Sequence, residues 1–142
     1  MTLSTSIQVI AHATEDIPKI LFKMCEIFSI PKEKFLISRA RGHWDNEISL
    51  IIANCDHEES KVILQRIISK LKSGEKNYLL RSISDSFDEK DNFYIRLNKQ
   101  SMCRGIISLS EHDSIRIRFK ATKEFNQINK FRDHVIDLFT KK

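Results

Sequence analysis

Residues 113–120 read DSIRIRFK, and the alternation within them governs how the rest of the chain is organised. Ile115, Ile117 and Phe119 fall on one parity, and Arg116, Arg118 and Lys120 on the other. Successive side chains leave a strand on opposite faces, so this stretch predicts a strand with one face in a core and the other in water. FYIRLNKQ at 93–100 repeats the pattern, with Phe93, Ile95 and Leu97 alternating with Tyr94, Arg96 and Asn98 before Lys99. If the two strands share a sheet, Tyr94, Arg96, Arg116, Arg118 and Lys120 stand together on its uncovered face.

Outward from these strands, periods of two and of three to four alternate along the chain. TSIQVIAH at 5–12 predicts a first strand through Ile7, Val9 and Ala11. Thr14, Glu15 and Asp16, with Pro18 in the first turn, mark a helix start, since a hydroxyl caps free amides and acids suit the positive end of the dipole. Ile17, Ile20, Leu21, Met24 and Phe28 then form a helical stripe, ended by Pro31. Residues 34–41 and 47–55 predict a hairpin around GHWDN. Ile63, Leu64, Ile67, Ile68 and Leu71 return to helical spacing, with Gly74 as the expected stop. Residues 78–87 are expected to pair with 92–98 around a solvated acidic loop at 88–91. A short turn or helix follows at 99–104, closed by Gly105, and a last helix spans 124–139. The expected fold is α+β: a mostly antiparallel sheet with helices packed on one face and the other face open.

The chain's 142 residues suit one domain, 1–142, and its 3 Gly and 2 Pro leave no linker or low-complexity tract. No apolar run is long enough to span a membrane, and the first residues lack the form of a signal peptide, so a cytoplasmic location is expected. Cys25, Cys55 and Cys103 show no CxxC spacing and read as small hydrophobes in a reducing compartment. A net charge of +5 suits a polyanionic partner.

Guanidinium groups pair with phosphate oxygens, and a tyrosine ring offers a plane for an unpaired base, so the open face fits RNA. A solvated outer face, its basic stems merely covering the sheet, is the plain alternative. Dimerisation through the same face is another, although desolvating several unpartnered arginines opposes it. The sheet edge or the last helix is a more suitable contact for a second copy. The turn Arg39, Arg41, Gly42, His43, Trp44 offers a second basic site with rings able to stack, the plain alternative being that Trp44 folds back to cap the core. Lys99 and Arg104 complete the candidate RNA-contacting set. No nucleophile constellation, HExxH, GxGxxG or GxxxxGK[ST] occurs, so no enzymatic activity, cofactor or metal is expected. His12 and His43 are the one conceivable acid/base pair.

AHATED at 11–16, RGHWDNEI at 41–48, FYIRLNKQ and DSIRIRFK together resemble the signature segments of an archaeal RNA-binding family described as predicted exosome subunits. The resemblance spans about residues 7–121. It implies a fold like the ribosomal protein that binds 5S rRNA, RNA binding without catalysis, and RNA-processing complex subunits as further partners. Carried over by position, the motif residues are His12, Thr14, Glu15, Asp16, Gly42, His43, Asn46, Arg96, Leu97, Lys99, Gln100, Gly105, Arg116 and Arg118. Asp45 and Glu47 depart from the glycine and proline usual in the family turn, and Asn98 stands where an aspartate is common. The helix 124–139 lies beyond the matched segments.

Overall fold

A computed structural model describes residues 2–41, 46–122 and 130–140. Five strands, β1 (Leu3–His12), β2 (Phe35–Arg41), β3 (Glu47–Cys55), β4 (Phe93–Asn98) and β5 (Ser114–Ala121), form one sheet in the order β2-β3-β1-β5-β4. Every neighbouring pair is antiparallel. The helices among the described residues are α1 (Ile17–Phe28), α2 (His57–Lys70), α3 (Ser73–Arg81), α4 (Lys99–Cys103) and α5 (Lys130–Thr140). The α+β expectation holds, with the core on one side of the sheet.

Strand alternation sets which side. Ile115, Ile117 and Phe119 are fully buried, and Phe93, Ile95 and Leu97 of β4 join them in the core. Burying each such side chain stabilises the fold by roughly 1.5–3 kcal/mol before entropy is counted. Onto this face α1 packs Ile20, Leu21, Met24, Ile27 and Phe28, and α2 packs Ile63, Leu64 and Ile67. The apolar stripe of α5, Phe131, Val135 and Phe139, is also buried, with Phe139 edge-on to Phe93 at 6.0 Å. The last helix therefore spends its apolar stripe in the core rather than presenting it outward. Residues 124–129 of the predicted helix lie outside the described residues.

Three local expectations are corrected. The α1 cap is Asp16, whose carboxylate accepts from the Lys19 amide at 3.2 Å; Thr14 lies before the helix, in the turn that follows β1. The two residues after α2 do not end helical structure at Gly74, because α3 starts at Ser73 and carries Gly74 in its first turn. Residues 78–87 consequently form no strand, and of the expected hairpin only the bridge Phe87 to Phe93 remains. Leu79 is buried and Leu80 packs beside it, a short apolar run whose length cannot separate helix from strand. The acidic loop is a turn, as expected: Asp88 accepts from the Lys90 and Asn92 amides at 2.9 Å each.

The cysteines are free; Cys55 is buried and the other two half-buried. Burial pushes the Cys55 thiol up to about 11, which keeps it protonated and unreactive near neutrality.

Candidate nucleic-acid interface

The open side of the sheet divides into two halves. On β4 and β5, Arg96 lies directly opposite Arg116, and Tyr94 opposite Arg118. The next strand inward, β1, places Gln8 beside Arg116, Ser6 beside Arg118 and Ser4 beside Lys120. All five side chains named from the sequence therefore share one face and are exposed. Strands are about 4.8 Å apart, so opposed like charges repel unless something neutralises them. Their cross-strand neighbours on β1 are neutral, and among the described residues no carboxylate comes within ion-pair distance of Arg96, Arg116, Arg118 or Lys120. Ser6, Gln8, Tyr94, Arg96, Arg116 and Arg118 line a hollow of about 240 Å³. The positions Ser6 and Gln8 escaped sequence reasoning, which had no register to place them, although their parity in TSIQVIAH pointed outward.

The other half of this side is aliphatic. Leu36 pairs with Ile52 and Ile10 with Leu50, so β2, β3 and β1 present isoleucine and leucine where β4 and β5 present arginine. Leu36 is 67% exposed and Ile10 39%.

Tyr94 and Arg96 also line a larger cleft of about 940 Å³ between β4, α3 and the loop 109–111. Its lining also includes Tyr78, Ser82, Asp85 and Glu111. Within it, Glu75 accepts from the Leu109 amide at 2.5 Å, tying α3 to the loop that runs along the β4 edge. Burial works to raise the Asp88 pKa, but hydrogen bonds from Asn92, the Lys90 amide and the Tyr94 hydroxyl outweigh it, and the group is held below its ordinary value.

Lys99 must be withdrawn from the RNA-contacting set. Its side chain is 1% exposed, and its ammonium donates to Glu15 at 2.7 Å, Asp113 at 2.8 Å and the Ile10 carbonyl at 2.8 Å. An ammonium has three donors, and here all three are taken. Gln100 also reaches Glu15, at 3.3 Å, so AHATED and FYIRLNKQ meet at one end of the sheet. His12, Glu15 and Asp113 are close enough together to ligate a cation, but Lys99 already holds two of their carboxylates.

Arg39 and Arg41 lie on the other side of the sheet from the arginines of β4 and β5, because Arg39 pairs with Ser49, which pairs with the buried Ala11. They sit at an exposed corner, and Arg39 faces Glu47 at 3.7 Å. Arg104 is exposed at the end of α4. His43 and Trp44 lie outside the described residues, and with them the conceivable pairing of His12 and His43.

The fold and the clustered cations define a class: a small α+β protein with a basic sheet face. A family model described as RNA binding matches residues 4–121, and the chain belongs to that family. It is 30% identical over 120 residues to RNA-binding protein PAB1135 of Pyrococcus abyssi, covering 80% of this chain and 78% of that one. It is 31% identical over 121 residues to the uncharacterized protein MJ0213 of Methanocaldococcus jannaschii, covering 81% and 80%. Among solved structures, the fold matches protein AF2318 of Archaeoglobus fulgidus, a DUF54 protein, at a TM-score of 0.79 and 21% identity over 97% of this chain and 99% of that one. Protein SSO0741 of Sulfolobus solfataricus, of the same DUF54 family, gives 0.76 at 23% identity over 96% of each.

Proposed function

We propose that this chain is a non-enzymatic RNA-binding protein that holds the sugar–phosphate backbone on the β4–β5 face and works in the cytoplasm as an accessory factor in RNA processing or degradation. The observation that carries the reading is the opposed pair Arg96 and Arg116 with Arg118 beside them, none ion-paired among the described residues and with only the neutral Gln8 and Ser6 next to them on β1. Such an arrangement costs free energy in the unliganded protein, and a phosphate chain relieves it. The name of the Pyrococcus abyssi relative and the family's description agree with an RNA ligand. The exosome as the setting, and kinship with the ribosomal protein that binds 5S rRNA, rest on the sequence resemblance. Arg104, Arg39 and Arg41, with His43 and Trp44, are secondary candidates for contact.

The test is retention of labelled RNA in a filter or gel assay across a salt series. Changing Arg96, Arg116 and Arg118 together to Glu abolishes retention while leaving thermal unfolding nearly unchanged. Undiminished retention removes the proposal.

A second reading, protein contact or a homodimer, is favoured by the aliphatic half of the same side, where Leu36 and Ile10 are exposed. Pull-down with and without nuclease separates the two: partners that survive digestion, such as subunits of an RNA-processing complex, support it.

A further inference from the structure

We infer that the cleft beside the basic face is a base-binding pocket, one that takes an unpaired guanine from the RNA while the backbone stays on β4 and β5. The inference rests on the RNA-binding reading and adds to it a nucleotide preference.

The two depressions share a wall. Tyr94 and Arg96 line both the basic hollow and the larger cleft, so a phosphate held by Arg96 and Arg116 leaves its own nucleoside at the cleft mouth. At about 940 Å³ the cleft falls within the range of small-molecule sites and accommodates a purine. Charge sorts the two parts of the nucleotide. The hollow is cationic, whereas Asp85 and Glu111 line the cleft, and a phosphate is repelled from where a neutral base is not.

The chemistry of the lining selects among bases. Tyr78, 57% exposed, and Tyr94 supply the ring surfaces on which unstacked bases pack. Tyr94 lines both depressions, which puts its ring at the border between them. Of the acidic groups in the cleft, Glu75 is occupied by the Leu109 amide and Asp88 by Asn92 and Lys90. Asp85 and Glu111 have no side-chain partner among the described residues, so their carboxylates are free to accept. An ionised carboxylate only accepts hydrogen bonds. Guanine offers it two adjacent donors, the N1–H and the 2-amino group. Adenine and cytosine oppose it with a ring nitrogen lone pair beside a single amino group, and uracil offers one N–H between two carbonyls.

The experiment measures binding of fluorescein-labelled octanucleotides to the intact protein: U8, and the same RNA with one central G, A or inosine. The G-containing RNA is expected to bind about tenfold more tightly than U8, the discrimination of one good bidentate contact. Inosine lacks the 2-amino group and should lose most of that gain, and adenosine all of it. The double variant Asp85→Asn, Glu111→Gln and the single Tyr78→Ala should each remove the advantage of the G-containing RNA over U8. Equal affinity of wild type for all four RNAs overturns the pocket but not the basic face. Equal losses for U8 and the G-containing RNA in the Asp85, Glu111 variant also overturn it. Failure of every RNA to bind sinks the RNA reading and the pocket together. The base series on wild-type protein needs no variant to fold.

Discussion

Arg96 and Lys99 are three residues apart in FYIRLNKQ, and the fold puts their charges to opposite uses. Arg96 stands on an exposed face opposite another arginine, with Gln8 the next neighbour across β5. Lys99, one residue past the end of the strand, turns into the protein and meets two carboxylates and a carbonyl. The difference teaches that a cation in a signature stretch is not a ligand contact by default. What decides is whether the surrounding acids have already claimed it.

Breaking the internal cation has the largest expected effect. Lys99→Ala leaves Glu15 without its counter-ion in a site 13% exposed, and removal of one partner from a buried ion pair costs about 3–5 kcal/mol. Urea unfolding measures it, and a loss below about 1 kcal/mol contradicts the assignment of Lys99 to structure. Next comes the reversal already described for the outward arginines, where RNA affinity collapses and stability holds. Single changes sharpen the contrast: Arg116→Ala should shallow the slope of log affinity against log salt by about 0.7–0.9, the contribution of one phosphate contact, as read by titration at several salt concentrations. Lys61→Ala, on the helix α2 behind the sheet, should leave that slope nearly unaltered. Smallest is a pH effect. Because the folded protein holds Asp88 below its ordinary pKa, the stabilisation is present above that ordinary value and fades as pH falls through the lowered one. Asp88→Asn should therefore narrow its deficit against wild type in acid, visible by comparing thermal unfolding near pH 3 with that at pH 7.

The parity of DSIRIRFK and FYIRLNKQ carried most of the architecture, because a half-buried strand writes its environment into every second residue. Their direct adjacency, Arg96 against Arg116, also agreed with the expectation that they share a face. What stayed hidden depended on contacts distant in sequence. Nothing local in Lys99 distinguishes a solvent lysine from one that meets Glu15 across 84 residues. The same holds for Arg39, whose side of the sheet follows from its register with Ser49. The helix at Ser73–Arg81 was hidden for another reason: with one buried leucine it shows too little periodicity to stand out, and its Tyr78 is β-prone.

Strand β1 occupies the middle of the sheet, although it is the first of the five to be synthesised. Its two flanks are filled by β3 and, about a hundred residues later, by β5. At a synthesis rate of about 5–20 residues per second, one flank of β1 waits roughly 5–20 s for its partner. A bare backbone ladder of ten residues is a template for wrong pairing during that interval. Nascent-chain handling, more than the equilibrium stability of the finished sheet, should then limit the yield of this protein.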